Sequence, residues 1–300
     1  MGTMDLRERI QAGAASRKAR QFRAAEEHYL AALQLDPNHT QALKGLADSY
    51  RGLGDMKRCL DVWDRYLERH PDDASVQARI GDACRRSGSA ARAVGHYQAA
   101  LAHNPNDRYA LTGLGDLQHN QHQPEAALAC WERLLLLDPS LIHIRTMAGN
   151  ACRKKLDFAR AELHFREALR LEPANAHALF GLADALRGLG RFEEAAPYWE
   201  VMLQIDPSNN QVLCRAGDCF ARLGRLASAE TLFRKALAAG YDRSALLGLA
   251  TVYSLNGTQA EAIRCYETIL ERNPGDQRTS RLLDQVRAGT SAPADLTPPE

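Results

Sequence analysis

The sequence has little of what marks several common classes of protein. Aromatic residues make up 6% of the 300 residues, and the longest purely aliphatic run covers only residues 134–137, which is far too short to span a bilayer. Lysine and arginine number 38 against 37 aspartates and glutamates. The net charge of +1 therefore gives no broad electrostatic footprint for nucleic acid or for an anionic membrane surface. The N-terminal segment from Met1 to Arg9 contains no apolar stretch typical of a signal peptide.

Neither the cysteines nor the common catalytic motifs indicate an enzymatic activity. The seven cysteines form no Cys-x-x-Cys pair, and without an export signal they predict reduced thiols and a cytoplasmic location. There is no Gly-x-Ser-x-Gly, no phosphate-binding loop and no His-Glu-x-x-His. The pairs His143/His177 and His119/His122 have spacings that could suit a metal, but no cysteine or carboxylate completes a set of ligands. We therefore expect a protein that is not an enzyme and has no cofactor or metal.

What the sequence does contain is alanine and a strict repeat. Alanine accounts for 49 of 300 residues, which favours helix over sheet. Six prolines stand at positions 37, 71, 105, 139, 173 and 207, at a constant interval of 34, and a fixed period of this length indicates a solenoid. When this proline is numbered 32 in each unit, position 8 is always Gly or Ala, position 20 is Ala or Cys, and position 24 is Tyr, Trp or Phe.

These columns resemble the tetratricopeptide repeat (TPR), which is defined by small residues at positions 8 and 20, an aromatic residue at 24 and proline at 32. The resemblance covers about residues 6–276. It implies an all-α solenoid, a right-handed superhelix of eight helix-turn-helix repeats in which helix A of each repeat lines the concave side. The predicted repeats are 6–39, 40–73, 74–107, 108–141, 142–175, 176–209, 210–242 and 243–276. We expect residues 1–5 to be an N-terminal extension, 277–288 a capping helix and 289–300 a disordered tail.

A second period distinguishes odd from even repeats. Position 27 is alanine in every odd repeat and a larger residue in every even one, whereas position 6 is glycine only in even repeats. Complementary volumes of this kind are what close packing requires, so the building block is predicted to be a pair of consecutive repeats. Pro124 is expected in the first turn of its helix, and Pro197 is expected to kink its helix or delay the start of that helix.

In the TPR family, positions 9, 12 and 13 of helix A project into the concave groove. Position 9 is acidic in five of the eight repeats, position 12 is mostly arginine, and position 13 is basic only in odd repeats. The candidate partner-binding residues are Arg17, Lys18, Asp48, Arg51, Asp82, Arg85, Arg86, Asp116, His119, Asn150, Arg153, Lys154, Asp184, Arg187, Asp218 and Arg222.

These ladders have two interpretations. An aspartate at i and an arginine at i+3 form an ion pair on one helix, and the residue at position 9 could also hold neighbouring A helices in register. Alternatively, the arginines recognise carboxylate or phosphate groups of a partner. The acidic-tail clamp of chaperone-binding TPR domains is not present, because Lys44 at position 5 is followed by Asp48 where that clamp has asparagine.

The resemblance and the ladders together predict a non-catalytic interaction scaffold or adaptor that binds a peptide or helical segment in its concave groove. Acidic groups on the protein partner would suit the basic ladder. The alternative is an architectural protein that self-assembles into homo-oligomers, through stacking of repeats or binding of the tail in the groove of a neighbour. The charge balance and the length of the repeat disfavour an RNA-binding repeat.

Overall fold

The computed structural model describes residues 5–289, and every regular element in that range is an α-helix. Odd-numbered helices up to α15 are the A helices of the repeats, and even-numbered helices are the B helices. The bounds are α1 Leu6–Lys18, α2 Phe22–Leu35, α3 Thr40–Leu53, α4 Met56–Leu67, α5 Ala74–Arg86, α6 Ala90–His103, α7 Arg108–Asn120, α8 Pro124–Leu137, α9 Ile142–Lys154, α10 Phe158–Leu171, α11 Ala176–Gly188, α12 Phe192–Ile205, α13 Asn210–Arg222, α14 Leu226–Ala238, α15 Arg243–Leu255, α16 Gln259–Arg272 and α17 Gln277–Arg287. The all-α class predicted from the sequence is confirmed.

Short polar side chains determine where most A helices begin. The side chain of Asp73 accepts hydrogen bonds from the first free backbone N–H groups of α5, and Asn209 does the same for α13. Side-chain caps of this type satisfy donors that the helix itself leaves unpaired. Pro124 occupies the first turn of α8, as predicted, where its missing N–H costs nothing.

The periodic prolines determine where B helices end. In five of the six cases the residue before the proline ends the helix with a non-helical backbone, for example Asp36 after α2 and Asp138 after α8, because proline disfavours helical backbone in the residue that precedes it. Helix α4 ends earlier, at Leu67. The prediction for Pro197 is wrong as to the start of its helix. Helix α12 begins at Phe192 and continues through Pro197, since the carbonyl that loses its partner belongs to the exposed Glu193 and is available to water.

The turn between helix A and helix B requires one residue with a left-handed backbone. Glycine supplies it in five of the repeats, as at Gly54 with φ +81°. In the other three repeats the same position holds Arg20, His122 and Leu156, with φ of +59°, +58° and +62°. A residue with a Cβ pays a steric penalty in this conformation, and the sequence pattern does not show that these turns keep the same geometry.

The odd repeats place an aromatic ring between two glycines, and this gives the two-repeat period a physical cause. The Tyr29 ring lies against Gly13 of its own repeat and Gly45 of the next, where an added Cβ on Gly45 would be 2.2 Å from the ring. Phe165 lies against Gly181 with the same clearance of 2.2 Å. Tyr97 and Gly113, and Phe233 and Gly248, form the equivalent pairs. Only an even repeat with glycine at position 6 can therefore follow an odd repeat at this distance.

The chain divides into two compact units, residues 1–139 and 140–300, of which the structure describes 5–139 and 140–289. The first unit contains α1–α8 and the second contains α9–α17, and within each unit the helical hairpins pack side by side. In the second unit α17 packs on α16 and buries Leu283 and Val286. The predicted tail at 289–300 lies outside the described residues except for Gly289. Within residues 5–289 no helix is both long enough and apolar enough to cross a membrane.

Candidate partner-binding face

The A helices of the first unit are joined by arginines that converge on one carboxylate. Asp48 on α3 receives Arg17 from α1, with Nη1 3.5 Å from Oδ2, and Arg79 from α5, with Nη1 2.7 Å from Oδ2. Arg51, one turn along α3, places Nη2 3.4 Å from Oδ1. Three helices are thus tied together by a single acidic side chain. We call Arg17, Arg51 and Arg79 the first triad.

The second unit repeats this arrangement with the same residue types. Asp184 on α11 receives Arg153 from α9 at 2.6 Å, Arg187 from its own helix at 2.9 Å, and Arg215 from α13 at 3.7 Å. We call Arg153, Arg187 and Arg215 the second triad. Arg79 and Arg215 are not among the residues predicted from the sequence, although both stand at position 6, where odd repeats lack glycine and can carry a long side chain.

In both triads the carboxylate lies beneath the guanidinium groups. The Asp48 and Asp184 side chains are 8% and 3% exposed, whereas Arg17 is 42% and Arg153 19% exposed. Burial by itself would raise the pKa of Asp184, but the positive charges of Arg187, Arg215 and Arg153 outweigh it and lower that pKa. Asp184 therefore stays ionised, and in both triads the guanidinium groups form the outer, positively charged surface.

The arginine at position 12 also reaches the aspartate of the following repeat. Arg51 places Nη1 3.9 Å from Oδ2 of Asp82, and Arg187 places Nη1 3.4 Å from Oδ2 of Asp218. Arg85 pairs with Asp82 on its own helix at 2.8 Å. These contacts support the structural interpretation of the acidic ladder, because the contacts between repeats fix the position of one A helix relative to the next.

The remaining predicted residues at positions 9 and 12 have different surroundings. Asn150 accepts a hydrogen bond from Arg153 at 3.3 Å, so it takes the place of an aspartate without the charge. The His119 ring lies 5.3 Å from the Trp131 ring and is half-buried. Asp116 is half-buried on α7. The regular ladder is thus interrupted at the end of the first unit and at the start of the second.

The basic residues at position 13 form the outermost part of this surface. Lys18, Arg86 and Lys154 are exposed and make no hydrogen bond or ion pair with another residue of the described chain. Arg222 instead packs over the Phe192 ring at 5.7 Å, and its Nε is buried without a hydrogen-bond partner. These side chains carry positive charge that the protein itself does not neutralise by direct contact.

We define the A-helix face of each unit as positions 6, 9, 12 and 13 of its four repeats. In the first unit it carries six basic and three acidic side chains, and in the second five basic and two acidic ones. Each face therefore has a net charge of +3 with histidine neutral, although the whole chain is close to neutral. A surface of this kind favours anionic partners and speeds their association.

Elsewhere the described residues offer no comparable chemistry. Among residues 5–289 no group of three or more His, Cys, Asp or Glu is placed to hold a metal ion. Six of the seven cysteines are buried, and burial raises the pKa of Cys59 to about 11 and that of Cys219 to about 12. Thiols with such pKa values are poor nucleophiles at neutral pH.

Comparison with protein-family models gives five matched segments, all described as tetratricopeptide repeat. The matched residues are 16–80, 53–108, 146–210, 186–251 and 244–276. No curated protein matches the chain by sequence.

Solved structures with the same fold cover most of the chain at low sequence identity. The C-terminal part of a TPR repeat-containing protein from Cytophaga hutchinsonii is 15% identical, and the match covers 91% of this chain and 98% of that one with a TM-score of 0.57. A tetratricopeptide repeat protein from Parabacteroides merdae is also 15% identical, covering 83% and 98% with a TM-score of 0.52. YrrB, described as a TPR protein with an unusual peptide-binding site, is 21% identical, covering 62% and 96% with a TM-score of 0.54. At these identities the likeness shows the fold alone.

Proposed function

Because the chain belongs to the tetratricopeptide repeat family, we propose that it is a non-catalytic interaction scaffold whose A-helix faces bind an acidic peptide or helical segment of a protein partner. The observation that carries this proposal is the net charge of +3 on each face. Proteins of this fold commonly bind other proteins and peptides, and YrrB is described as having a peptide-binding site. The proposal takes the eight predicted repeats, from 6–39 to 243–276, as the units whose A helices form the two faces.

Two further features support it. The guanidinium groups lie outside the aspartates that they contact, so their unused N–H groups are available to carboxylates of a partner. The seven cysteines are unpaired, which fits a reducing compartment such as the cytoplasm. A cytoplasmic location is accordingly part of the proposal.

The test removes two arginines from the A-helix faces. In the variant Arg85→Ala combined with Arg153→Ala, binding of a fluorescein-labelled oligoglutamate peptide, followed by fluorescence anisotropy, is expected to weaken by about tenfold or more, because charge-assisted hydrogen bonds are lost. Wild-type affinity is expected to fall as salt is raised, since screening weakens such contacts.

The matched control removes the same charge from B helices. Arg92 on α6 and Arg234 on α14 form exposed ion pairs with Asp64 and Glu230, and Arg92→Ala with Arg234→Ala should leave binding close to wild type. Thermal unfolding of every variant, followed by circular dichroism, identifies losses that come from misfolding. Equal affinity for wild type and the Arg85/Arg153 variant would contradict the proposed function.

A further inference from the structure

The two triads recur at one fixed spacing along the chain. Arg17, Asp48, Arg51 and Arg79 each have an identical residue type four repeats later, at Arg153, Asp184, Arg187 and Arg215. The same pairings form in each unit, with each aspartate contacted by all three of its arginines. Between the two triads the series is broken, because His119 replaces arginine at position 12 and Asn150 replaces aspartate at position 9. The chain therefore carries two separate copies of one arrangement, and not a continuous ladder.

Each triad has more donors than its own carboxylates use. Three guanidinium groups offer five N–H donors each. In the first triad Asp48 accepts one contact from each of them, and in the second Arg187 donates twice to Asp184 while Arg153 also donates to Asn150. A carboxylate placed over the guanidinium groups would meet several free donors at once, as in the paired contacts that arginine makes with carboxylates.

The charge balance within the second triad also favours an added anion. Burial lowers the pKa of Arg215, and Arg187 and Arg153 lower it further while Asp184 and Asp218 oppose the change. A guanidinium in this situation is incompletely compensated. Lys18 follows Arg17 and Lys154 follows Arg153 on the same helices, and both are exposed without an ion pair among the described residues.

A purely structural role accounts for only part of this arrangement. Holding three A helices together requires one carboxylate and two arginines from flanking helices, such as Arg17 and Arg79 around Asp48. The third arginine also contacts the aspartate of the next repeat, as Arg51 does with Asp82 and Arg187 with Asp218, but the neighbouring lysine adds positive charge that no ion pair in the described chain offsets and that repels the arginines. Such repulsion is unfavourable unless an anion compensates it.

We propose that each triad, with the lysine beside it, is a separate binding site for the carboxylates of an acidic peptide, so that one chain binds two short acidic peptides, one on each unit. This inference rests on the proposed function and adds the number and the position of the sites. The sites are equivalent in the residues that contact the peptide. The first is the more exposed of the two, since Arg17 is 42% and Arg153 19% exposed.

The test is isothermal titration calorimetry of the full chain with a short oligoglutamate peptide. Wild type is expected to bind two peptides per chain. The variants Arg17→Ala with Lys18→Ala, and Arg153→Ala with Lys154→Ala, remove equivalent residues of the first and fifth repeats, and each is expected to bind one peptide with affinity close to that of the untouched site. The combined quadruple variant is expected to bind none.

Substitution of Arg153 can also destabilise the fold, because this side chain is mostly buried. A second pair of variants therefore changes only exposed lysines. Lys18→Glu and Lys154→Glu each reverse one exposed charge that forms no ion pair in the described chain. Each is expected to weaken one of the two sites by about tenfold or more and to leave thermal unfolding unchanged. The Arg92→Ala with Arg234→Ala variant should keep both sites.

The outcomes separate this inference from the proposed function. If wild type binds a single peptide and either arginine–lysine pair abolishes that binding, the A-helix faces still bind acidic partners but the two-site inference is wrong. If wild type binds no peptide, or if binding is insensitive to all of these variants, both the inference and the proposed function are wrong. Two peptides per chain, reduced to one by each pair, would support the inference.

Discussion

The two compact units differ where a half-buried polar cluster of the first unit has been replaced in the second. In the first unit Lys44 lies 2.7 Å from Asp73, and the Tyr66 hydroxyl donates to the same carboxylate at 2.8 Å. The equivalent residues four repeats later are Phe180, Asn209 and Met202. Two units with the same backbone pattern therefore fill one location with an ionic cluster in one case and with largely apolar packing in the other.

The replacement changes the environment of the neighbouring triad. Phe180 packs edge-on against Trp199, with ring centroids 5.3 Å apart, and lies 5.8 Å from the Arg153 guanidinium. Arg153 is consequently more buried than Arg17, its equivalent in the first unit. The triad contacts remain the same while their surroundings become drier, so each ion pair of the second triad is costlier to break.

The more exposed ion pairs of the B helices, by contrast, tolerate a change in the order of their charges. Glu26 pairs with Arg58, and Asp55 also pairs with Arg58. In the second unit the two corresponding positions have exchanged charge, because Arg191 stands in place of the aspartate and Glu194 in place of the arginine. Arg191 contacts both Glu194 and Glu162. At the surface either order of charges gives a favourable contact, whereas the triads, whose aspartates are buried, keep the same order of charges in both units.

The largest difference between the units is expected on removal of the triad charges. Asp184→Asn should destabilise the protein by about 3 kcal/mol, because it leaves three arginines around an uncharged side chain in a mostly buried site. Asp48→Asn should cost less, about 1–2 kcal/mol, since water screens the more exposed first triad. Urea denaturation followed by circular dichroism measures both losses, and hydrogen exchange locates them. Equal losses would show that the difference in burial has no energetic consequence.

A second comparison tests the packing of glycine against an aromatic ring, which both units share. Gly45→Ala and Gly181→Ala each place a Cβ 2.2 Å from an aromatic ring of the preceding repeat, and each should destabilise the protein by about 1–2 kcal/mol through overpacking. Gly95→Ala, on the exposed surface with nothing within 4 Å of the added atom, is the control and should be slightly stabilising. Thermal unfolding measures all three. A gain in stability at Gly45 or Gly181 would contradict the packing explanation of the two-repeat period.

Because the first unit has an ionic cluster at Asp73 and the second has none at the equivalent position, we expect Asp73 to make the stability of the fold depend on pH. Burial by itself would raise the pKa of Asp73, but hydrogen bonds from Lys44, Ser75 and Tyr66 lower it well below its ordinary value. A carboxyl whose pKa is lower in the folded state stabilises the fold above its unfolded pKa of about 4, and that contribution is lost as the pH falls further.

The variant Asp73→Asn introduces the residue found at the equivalent position 209, which caps its helix in the same way. We expect it to cost about 1.5 kcal/mol at neutral pH and less in strong acid. Urea midpoints measured across this range check the prediction. A constant difference between wild type and variant at all pH values would contradict it.

The smallest effect is expected at the turns. Arg20 and Leu156 occupy equivalent positions in the two units, with φ of +59° and +62°, so Arg20→Gly and Leu156→Gly should each stabilise the protein by about 0.5–1 kcal/mol as steric strain is relieved. Gly54→Ala, with φ +81°, reverses the change and should be destabilising. Melting temperatures from circular dichroism measure the three shifts. A lower melting temperature for both glycine variants would show that the side chains contribute more than the strain costs.

Much of the fold could be predicted from the sequence, because the signals are local. The proline at the end of helix B acts on the residue before it, and the small and aromatic columns recur with the same period as the prolines. A late start of α12 at Pro197 was wrongly expected, because the helix can continue where the carbonyl of Glu193, one turn earlier, is solvated. The left-handed turn at Leu156 was missed because glycine is the residue that indicates such a backbone in a sequence, and this turn has none.

The candidate site was predictable only in part. Positions 9 and 12 were identified from the family resemblance, and their i, i+3 spacing predicted contacts such as Arg51 with Asp48. Arg79 and Arg215 were missed, since their partners lie in the preceding repeat, on another helix. The cluster of Lys44, Tyr66 and Asp73 was missed because its members lie on α3, on α4 and before α5, and no local spacing along the chain relates them.

The sequence by itself determined the helices, the repeat and the alternation of large and small residues, because each of these depends on neighbours along the chain or on a fixed period. Only the tertiary structure decided which charges meet, that each aspartate lies beneath three arginines, and that one triad is drier than the other. The reason is physical: Coulomb energy and desolvation depend on distance and burial in space, and residues far apart along the chain acquire both only when the A helices pack side by side.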